Sequence, residues 1–171
     1  MAKMVEKVGR WDVAGLFTRN LRRDIAEEME VALRQIGSET EGLMKKFIRN
    51  QSGFSNPEAK WEPLSKAYAA YKKKTKGLST KTLIATSSML QSITSVAAYP
   101  KVFVGVKRGA KGKDGEELAN IAAIMEFGSK SRNIPARPFI APVADFQMMR
   151  IQRGNLLGKR IISYLKKKYG M

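Results

Sequence analysis

The sequence predicts α-helices and one β-hairpin in a single chain, on three observations. Apolar residues recur at spacings of three and four over residues 16–50, which is the pattern of one long amphipathic helix. β-Branched and aromatic residues flank Tyr99-Pro100 on both sides, which predicts two strands joined at that pair. A second helical stripe over residues 142–168 predicts a C-terminal helix.

The first predicted helix is unusually long for a chain of 171 residues. At 1.5 Å per residue, residues 16–50 would span roughly 50 Å. Such a helix suggests either a partner packed along it or a break, and Gly37 is the expected weak point. Residues 1–15 are expected to form an extended arm, with Asp12 as a possible helix N-cap, and residues 16–171 to form a single domain.

Shorter elements fill the middle of the chain. Ser65 is placed to cap a short helix that carries Tyr68, Tyr71 and a lysine run, and Gly77 is expected to end it. The sequence predicts another short element over residues 83–90. Residues 116–127 have helical spacing, with Gly128 as the expected C-cap.

Composition excludes several classes of chemistry. The chain has neither cysteine nor histidine, so disulfides, thiolate or imidazole metal sites and histidine-dependent catalytic triads are ruled out. No apolar run approaches the roughly 18 residues of a membrane span, and the N-terminus lacks the apolar core of a signal peptide. We therefore expect a protein made in the cytoplasm, with no membrane partner.

Motifs for cofactor binding or catalysis do not stand out. Residues 77–82 (GLSTKT) end in Lys-Thr but lack the glycines of a phosphate-binding loop, and no G-x-G-x-x-G occurs. The acidic residues lie mostly among arginines on the first helix, where ion pairs or solvation explain them. The sequence predicts no catalytic residues, no metal and no cofactor. A cell-wall hydrolase that uses a pair of acids stays as a rival hypothesis, and loss of activity in Glu126→Gln would support it.

The net charge of +17 indicates an anionic partner or a simply solvated basic surface. Tyr68 and Tyr71 precede the first lysine cluster, so base stacking is conceivable there. No helix-turn-helix, RNA-recognition or zinc-finger signature is present, so any nucleic-acid binding would be nonspecific. The candidate contacts to an anionic partner are the basic residues of two clusters: Lys72, Lys73, Lys74, Lys107, Arg108, Lys111 and Lys113.

Two short segments are candidates for subunit contacts. Glu126, beside Phe127-Gly128, lies at a predicted helix end, where the helix dipole disfavours a carboxylate; it is either solvated or paired with an arginine. Arg137-Pro138-Phe139 either leads a loop into a helix and buries Phe139, or forms a clasp between subunits. In the second case, Arg137→Ala should weaken assembly more than folding.

Five ordered segments resemble the phage virion-morphogenesis family, over residues 61–140. The segment WEPLS (61–65) is similar to its W-x-P-L-S element, and LIATSSMLQSI (83–93) to its next leucine-rich element. The strand VFVG (102–105) and the helix end ANIAAIMEFG (119–128) follow in the family's order. The segment IPARPFI (134–140) resembles the I-P-A-R-P-F-L signature.

The resemblance has departures. Met125 stands where the family commonly has histidine, Ser87-Ser88 replaces a usual Thr-Gly pair, and the loop at 107–115 is longer than expected. Any role of that histidine is therefore absent from this chain.

The resemblance implies an α+β fold, in which a small antiparallel sheet packs against a long helix. It also implies a non-enzymatic tail-completion or tail-terminator protein, a subunit of a homo-oligomeric and often hexameric ring at the head–tail junction of the virion. The implied neighbours are head-completion or neck proteins and the tail tube or terminator, with DNA passing through the channel. A basic, nonspecific nucleic-acid-binding protein is the alternative.

Overall fold

A computed structural model describes residues 9–51, 61–74, 81–84, 87–112 and 115–170. Within them, a long N-terminal helix carries a two-stranded antiparallel sheet and C-terminal helices, which confirms the α+β prediction. The helices and strands in chain order are α1 (Trp11–Asn50), α2 (Lys66–Lys74), α3 (Ser88–Ser92), β1 (Ile93–Ala98), β2 (Lys101–Val106), α4 (Leu118–Phe127), α5 (Ala141–Gly154) and α6 (Leu156–Tyr169).

Helix α1 is continuous and begins earlier than the sequence suggested. Its 40 residues span roughly 60 Å. The predicted arm at 1–15 is wrong over residues 11–15, which form the first helical turn; residues 1–8 lie outside the described part. Asp12 is not the N-cap, because it already lies in the first turn, and the cap position belongs to Arg10.

Gly37 does not break the helix but lets the hairpin approach it. A Cβ at this position would lie 2.9 Å from Val102 Cγ2 and 3.1 Å from Ser95 Cβ. Both neighbours stand on the strands, so the missing side chain sets how closely the sheet packs on α1. The expected weak point is therefore a contact point.

The hairpin turns at Tyr99-Pro100, as predicted, with a cis peptide bond between the two residues. Ile93 pairs with Val106 at one end of the ladder, and Ala98 pairs with Lys101 at the other. One face lies on α1, where Ser95 Oγ donates to Glu41 Oε2 at 3.0 Å. Because side chains alternate along a strand, Val96 and Phe103 lie opposite each other on the other face.

The predicted C-terminal helix is two helices that fold back along α1. Asn155 adopts a left-handed conformation (φ 43°) and separates α5 from α6. A Cβ on Gly158 would lie 2.5 Å from Asn155 Oδ1, so this glycine makes room for the asparagine side chain at the break.

Ion pairs hold α6 antiparallel to α1. Arg160 Nε lies 2.5 Å from Glu28 Oε1. Nearer the end of α6, Lys168 Nζ lies 2.8 Å from the carboxylate of Asp24, which is fully buried and also accepts a hydrogen bond from Tyr169. The Lys168 ammonium and the Tyr169 hydroxyl hold the pKa of the Asp24 carboxyl below its ordinary value.

The core lies at the C-terminal half of α1, where the hairpin, α3, α4 and the start of α5 meet. Its most deeply buried side chains are Met44, Ile48, Ile93, Phe139 and Val143. No helix in the described part of the chain is long and apolar enough to cross a membrane.

We predict that Gly37→Ala destabilises the protein by about 1–3 kcal/mol, although alanine favours helices, because its methyl group would collide with Val102 and Ser95. The matched control is Gly42→Ala on the same helix, where a Cβ has no atom within 4 Å. That variant should gain up to about 1 kcal/mol. Urea unfolding of both variants measures the difference, and equal effects would contradict the close approach.

Candidate functional site

Glu126 closes the corner between α4 and α5. Its side chain is 8% exposed, and both carboxylate oxygens accept backbone hydrogen bonds. Oε2 accepts from the amides of Phe139 and Ile140, each at 2.9 Å, and Oε1 accepts from the amide of Ala141 at 2.8 Å. Amides at a helix start have no partner within their own helix, so Glu126 caps α5 from a different helix.

This geometry settles the two sequence hypotheses for Glu126. The carboxylate is neither solvated nor paired with an arginine, because backbone amides occupy both oxygens. Its position at the end of α4 costs dipole energy there, but the same carboxylate faces the positive start of α5. The Glu126 carboxylate therefore stabilises the start of α5.

Arg137 joins the same corner to the segment before α2. Its side chain is 5% exposed. Nε donates to the carbonyl of Glu62 at 3.0 Å, and Nη2 to the carbonyl of Pro63 at 3.3 Å. The backbone amide of Arg137 donates to the carbonyl of Met125 at 2.6 Å. Met125 directly precedes Glu126. The guanidinium therefore fastens two distant segments of one chain.

Trp61 adds a further hydrogen bond between the same two segments. Its indole Nε1 donates to the carbonyl of Pro138 at 3.1 Å, and its ring lies 5.7 Å from that of Phe47 on α1. Phe139 is completely buried in the core. Of the two hypotheses for Arg137-Pro138-Phe139, the structure shows the loop that leads into a helix and buries Phe139.

The corner leaves one large apolar side chain outside. Phe127, the last residue of α4, is 83% exposed. Gly128 follows with φ 75°, and a Cβ there would lie 3.0 Å from both Ile134 O and Ala136 N. Only glycine fits this turn without moving the backbone.

A groove of about 490 Å³ runs beside Phe127. Its walls are the 61–65 segment, through Glu62, Pro63 and Ser65, and the loop from Gly128 to Arg137. Of the six residues predicted for subunit contacts, Glu126, Arg137 and Phe139 are buried within the subunit, and Pro138 and Gly128 are half-buried. Phe127 is the exposed member of the set.

A second groove, of about 420 Å³, lies on the outer face of the hairpin. Val96 and Phe103 form its apolar wall and are 59% and 55% exposed. The ring of Phe103 lies across Gly105, where a Cβ would come within 3.1 Å of it. Ala119 of α4 borders the groove, and Lys107 and Arg108 stand at its rim.

The basic residues predicted to contact an anionic partner divide into three groups. Lys73 and Lys74 on α2, and Lys107, Arg108 and Lys111 after β2, are exposed, so their predicted contacts with an anionic partner stay predictions. Lys72 is 3% exposed, so that prediction is wrong for it. Lys113 lies outside the described residues.

Lys72 is bound inside the subunit. Its Nζ donates to the carbonyl of Lys81 at 2.7 Å and lies 3.4 Å from the carbonyl of Ile84. Burial lowers the pKa of the Lys72 ammonium from its ordinary value. It is a structural anchor for the end of α2.

Sequence patterns did not reveal the carbonyls of Glu62 and Pro63 as the partners of Arg137. A backbone acceptor has no side-chain signature, and 74 residues separate Pro63 from Arg137. Trp61, two residues before Pro63, was the available signal. Within the described residues, no group of three or more acidic side chains is arranged to hold a metal ion.

One relative was found by comparison with known proteins. The uncharacterized protein MJ0331 of Methanocaldococcus jannaschii is 35% identical to this chain over 128 residues, which cover 74% of this chain and 81% of the relative. No protein-family model and no solved structure matches the chain.

We predict that Glu126→Gln destabilises the fold by about 2 kcal/mol. The amide nitrogen of glutamine cannot accept a hydrogen bond, so at least one buried amide at the start of α5 loses its partner. Glu27→Gln, on the exposed surface of α1, is the control and should change stability by less than about 0.5 kcal/mol. Chemical denaturation measures both, and equal stability of the two variants would refute the cap.

We predict that Arg137→Ala lowers folding stability by about 3 kcal/mol, because two hydrogen bonds from a buried cation are lost. The intersubunit prediction made from sequence is thereby reversed: the primary defect is in folding. Arg132→Ala, at an exposed position of the same loop, is the control. Unchanged thermal stability together with lost self-association would restore the intersubunit clasp.

Proposed function

This chain belongs to the same family as the uncharacterized protein MJ0331 of Methanocaldococcus jannaschii, and we propose that it is a structural subunit that assembles into a ring. The ring would lie at the head–tail junction of a phage virion and act in tail completion or termination, without catalysis or a cofactor. The subunit would be made in the host cytoplasm and end in the virion.

The contact between the two most distinctive resembling segments supports this proposal. WEPLS supplies Trp61 and the carbonyls of Glu62 and Pro63, and IPARPFI supplies Arg137 and the carbonyl of Pro138. Three hydrogen bonds join them across more than 70 residues of chain. These two segments therefore form one unit beside the Phe127 corner.

The observation that carries the proposal is a pair of different apolar patches at opposite ends of α4. Phe127 projects at the C-terminal end, and Ala119 borders the Val96–Phe103 groove near the N-terminal end. Eight residues of helix separate Ala119 from Phe127, roughly 12 Å. A ring needs two such unlike patches on each subunit, because each copy presents one patch to either neighbour.

In the proposed ring, Phe127 of one subunit enters the hairpin groove of the next. The groove offers apolar walls at Val96 and Phe103, and a volume of about 420 Å³ accommodates a phenyl ring. Head-completion or neck proteins and the tail tube would then contact the two faces of the ring. Ring size follows from the angle between the patches and is often six in the family that the segments resemble.

We predict that Phe127→Ala abolishes rings and leaves folding unchanged, because an 83% exposed side chain contributes little to the core. Phe103→Ala should have the same effect from the groove side. Ile162→Ala is the control, since Ile162 is 54% exposed on α6, away from both patches. Light scattering and negative-stain imaging of each protein, alone and mixed with tail tubes, measure assembly.

Mixing the two variants tests the pairing directly. Phe127→Ala subunits keep a complete groove, and Phe103→Ala subunits keep the projecting phenylalanine, so one sound interface forms and the mixture should stop at heterodimers. A wild-type chain that stays monomeric with tail tubes, yet binds DNA in a salt-dependent manner, would overturn the ring proposal in favour of a nonspecific nucleic-acid-binding protein.

A further inference from the structure

Helix α2 lies on the surface with almost none of its residues buried. Of its nine residues, KAYAAYKKK, only Lys72 is buried. The helix starts after Ser65, whose Oγ accepts a hydrogen bond from the amide of Tyr68 at 3.3 Å. A helix in a globular protein usually buries an apolar stripe, so the outward position of this one calls for another explanation.

Anchors on both sides hold α2 in place without covering it. Before the helix, Arg137 binds the carbonyls of Glu62 and Pro63. Within its last turn, Lys72 binds the carbonyl of Lys81. Both anchors are buried cations on backbone oxygens, and Lys72 Nζ also lies 5.9 Å from the centre of the Tyr68 ring.

Tyr68 and Tyr71 are presented side by side on this helix. Their rings are 6.2 Å apart and inclined by only 22°, and the residues are 50% and 61% exposed. Lys73 and Lys74 follow at once and are exposed as well. Two nearly parallel aromatic faces therefore stand next to a pair of positive charges.

We propose that α2 binds single-stranded nucleic acid, with unpaired bases stacked on Tyr68 and Tyr71 and phosphates paired with Lys73 and Lys74. Stacking on aromatic side chains beside a basic track is how proteins hold a single strand without reading its sequence. A duplex keeps its bases stacked on one another, and an acidic peptide engages only the lysines. The single strand uses both parts of the surface, and the +17 charge of the chain favours it.

This site goes beyond the proposed ring and does not require it. Its test therefore uses the full chain both as wild type and with Phe127→Ala, which removes the projecting side chain of the ring contact and lies outside α2. Fluorescence anisotropy with a labelled oligothymidylate and with a DNA duplex of the same length measures affinity at several salt concentrations.

The tyrosines and the lysines have different expected signatures. Tyr68→Ala/Tyr71→Ala should weaken oligothymidylate binding by about 30-fold or more with little change in salt dependence, because stacking is lost. Lys73→Ala/Lys74→Ala should reduce the slope of log affinity against log salt by about 1.4, because two phosphate contacts are lost. Circular dichroism verifies that each variant stays folded.

Matched controls come from elsewhere in the chain. Tyr99→Ala removes a tyrosine of similar exposure, 49%, at the hairpin turn, and Lys166→Ala/Lys167→Ala removes two exposed lysines from the end of α6. Neither should approach the effect of its α2 counterpart. Binding of the duplex as tight as the single strand, or equal losses in the Tyr99 and α2 tyrosine variants, would overturn the proposal. Absence of rings from the wild-type chain, with oligothymidylate binding intact, would overturn only the proposed function.

Discussion

The hydrogen bonds to the Glu126 carboxylate hold the corner between α4 and α5, and the surface around Phe127 depends on that corner. The carboxylate accepts hydrogen bonds from three backbone amides at the start of α5. These bonds fix the angle at which the chain leaves α4 and enters the C-terminal helices. Arg137 lies inside the loop that this angle creates, and from there it reaches the carbonyls before α2. A buried carboxylate needs such full hydrogen bonding to offset its lost hydration. One acid thereby positions Phe127, the adjoining groove and the base of α2 together.

Helix α1 supplies the frame to which this corner is fastened. Its C-terminal half contributes Met44, Phe47 and Ile48 to the core, and the hairpin crosses it where Gly37 leaves space. Its N-terminal half is covered by α6, which the fully buried Asp24 holds through Lys168 and Tyr169. The long helix therefore needs no second subunit to account for its length, because its own C-terminal helices fold back along it. Apolar residues remain exposed on the outer face of the hairpin and at the end of α4.

Internal ion pairs also explain the basic surface. The carboxylates of Asp24, Glu28 and Glu41 are engaged with Lys168, Arg160 and Lys45 within the subunit. Lys73 and Lys74 of α2 and the basic residues after β2 face outward. Copies of a chain with a net charge of +17 repel one another, so close association is favoured by an anionic partner that reduces the repulsion. The ring and the nucleic-acid site proposed above are compatible for this reason.

The sequence by itself determined most of the helices and the hairpin, because periodicity and turn residues are local properties of the chain. It also singled out Glu126 and the Arg137-Pro138-Phe139 segment as unusual. Only the tertiary structure decided what they do: the partners of both are backbone amides and carbonyls, which every residue carries and no pattern marks. The same holds for Gly37, whose role as a contact point depends on strands some 60 residues away, and for Lys72, whose burial its neighbouring lysines do not share.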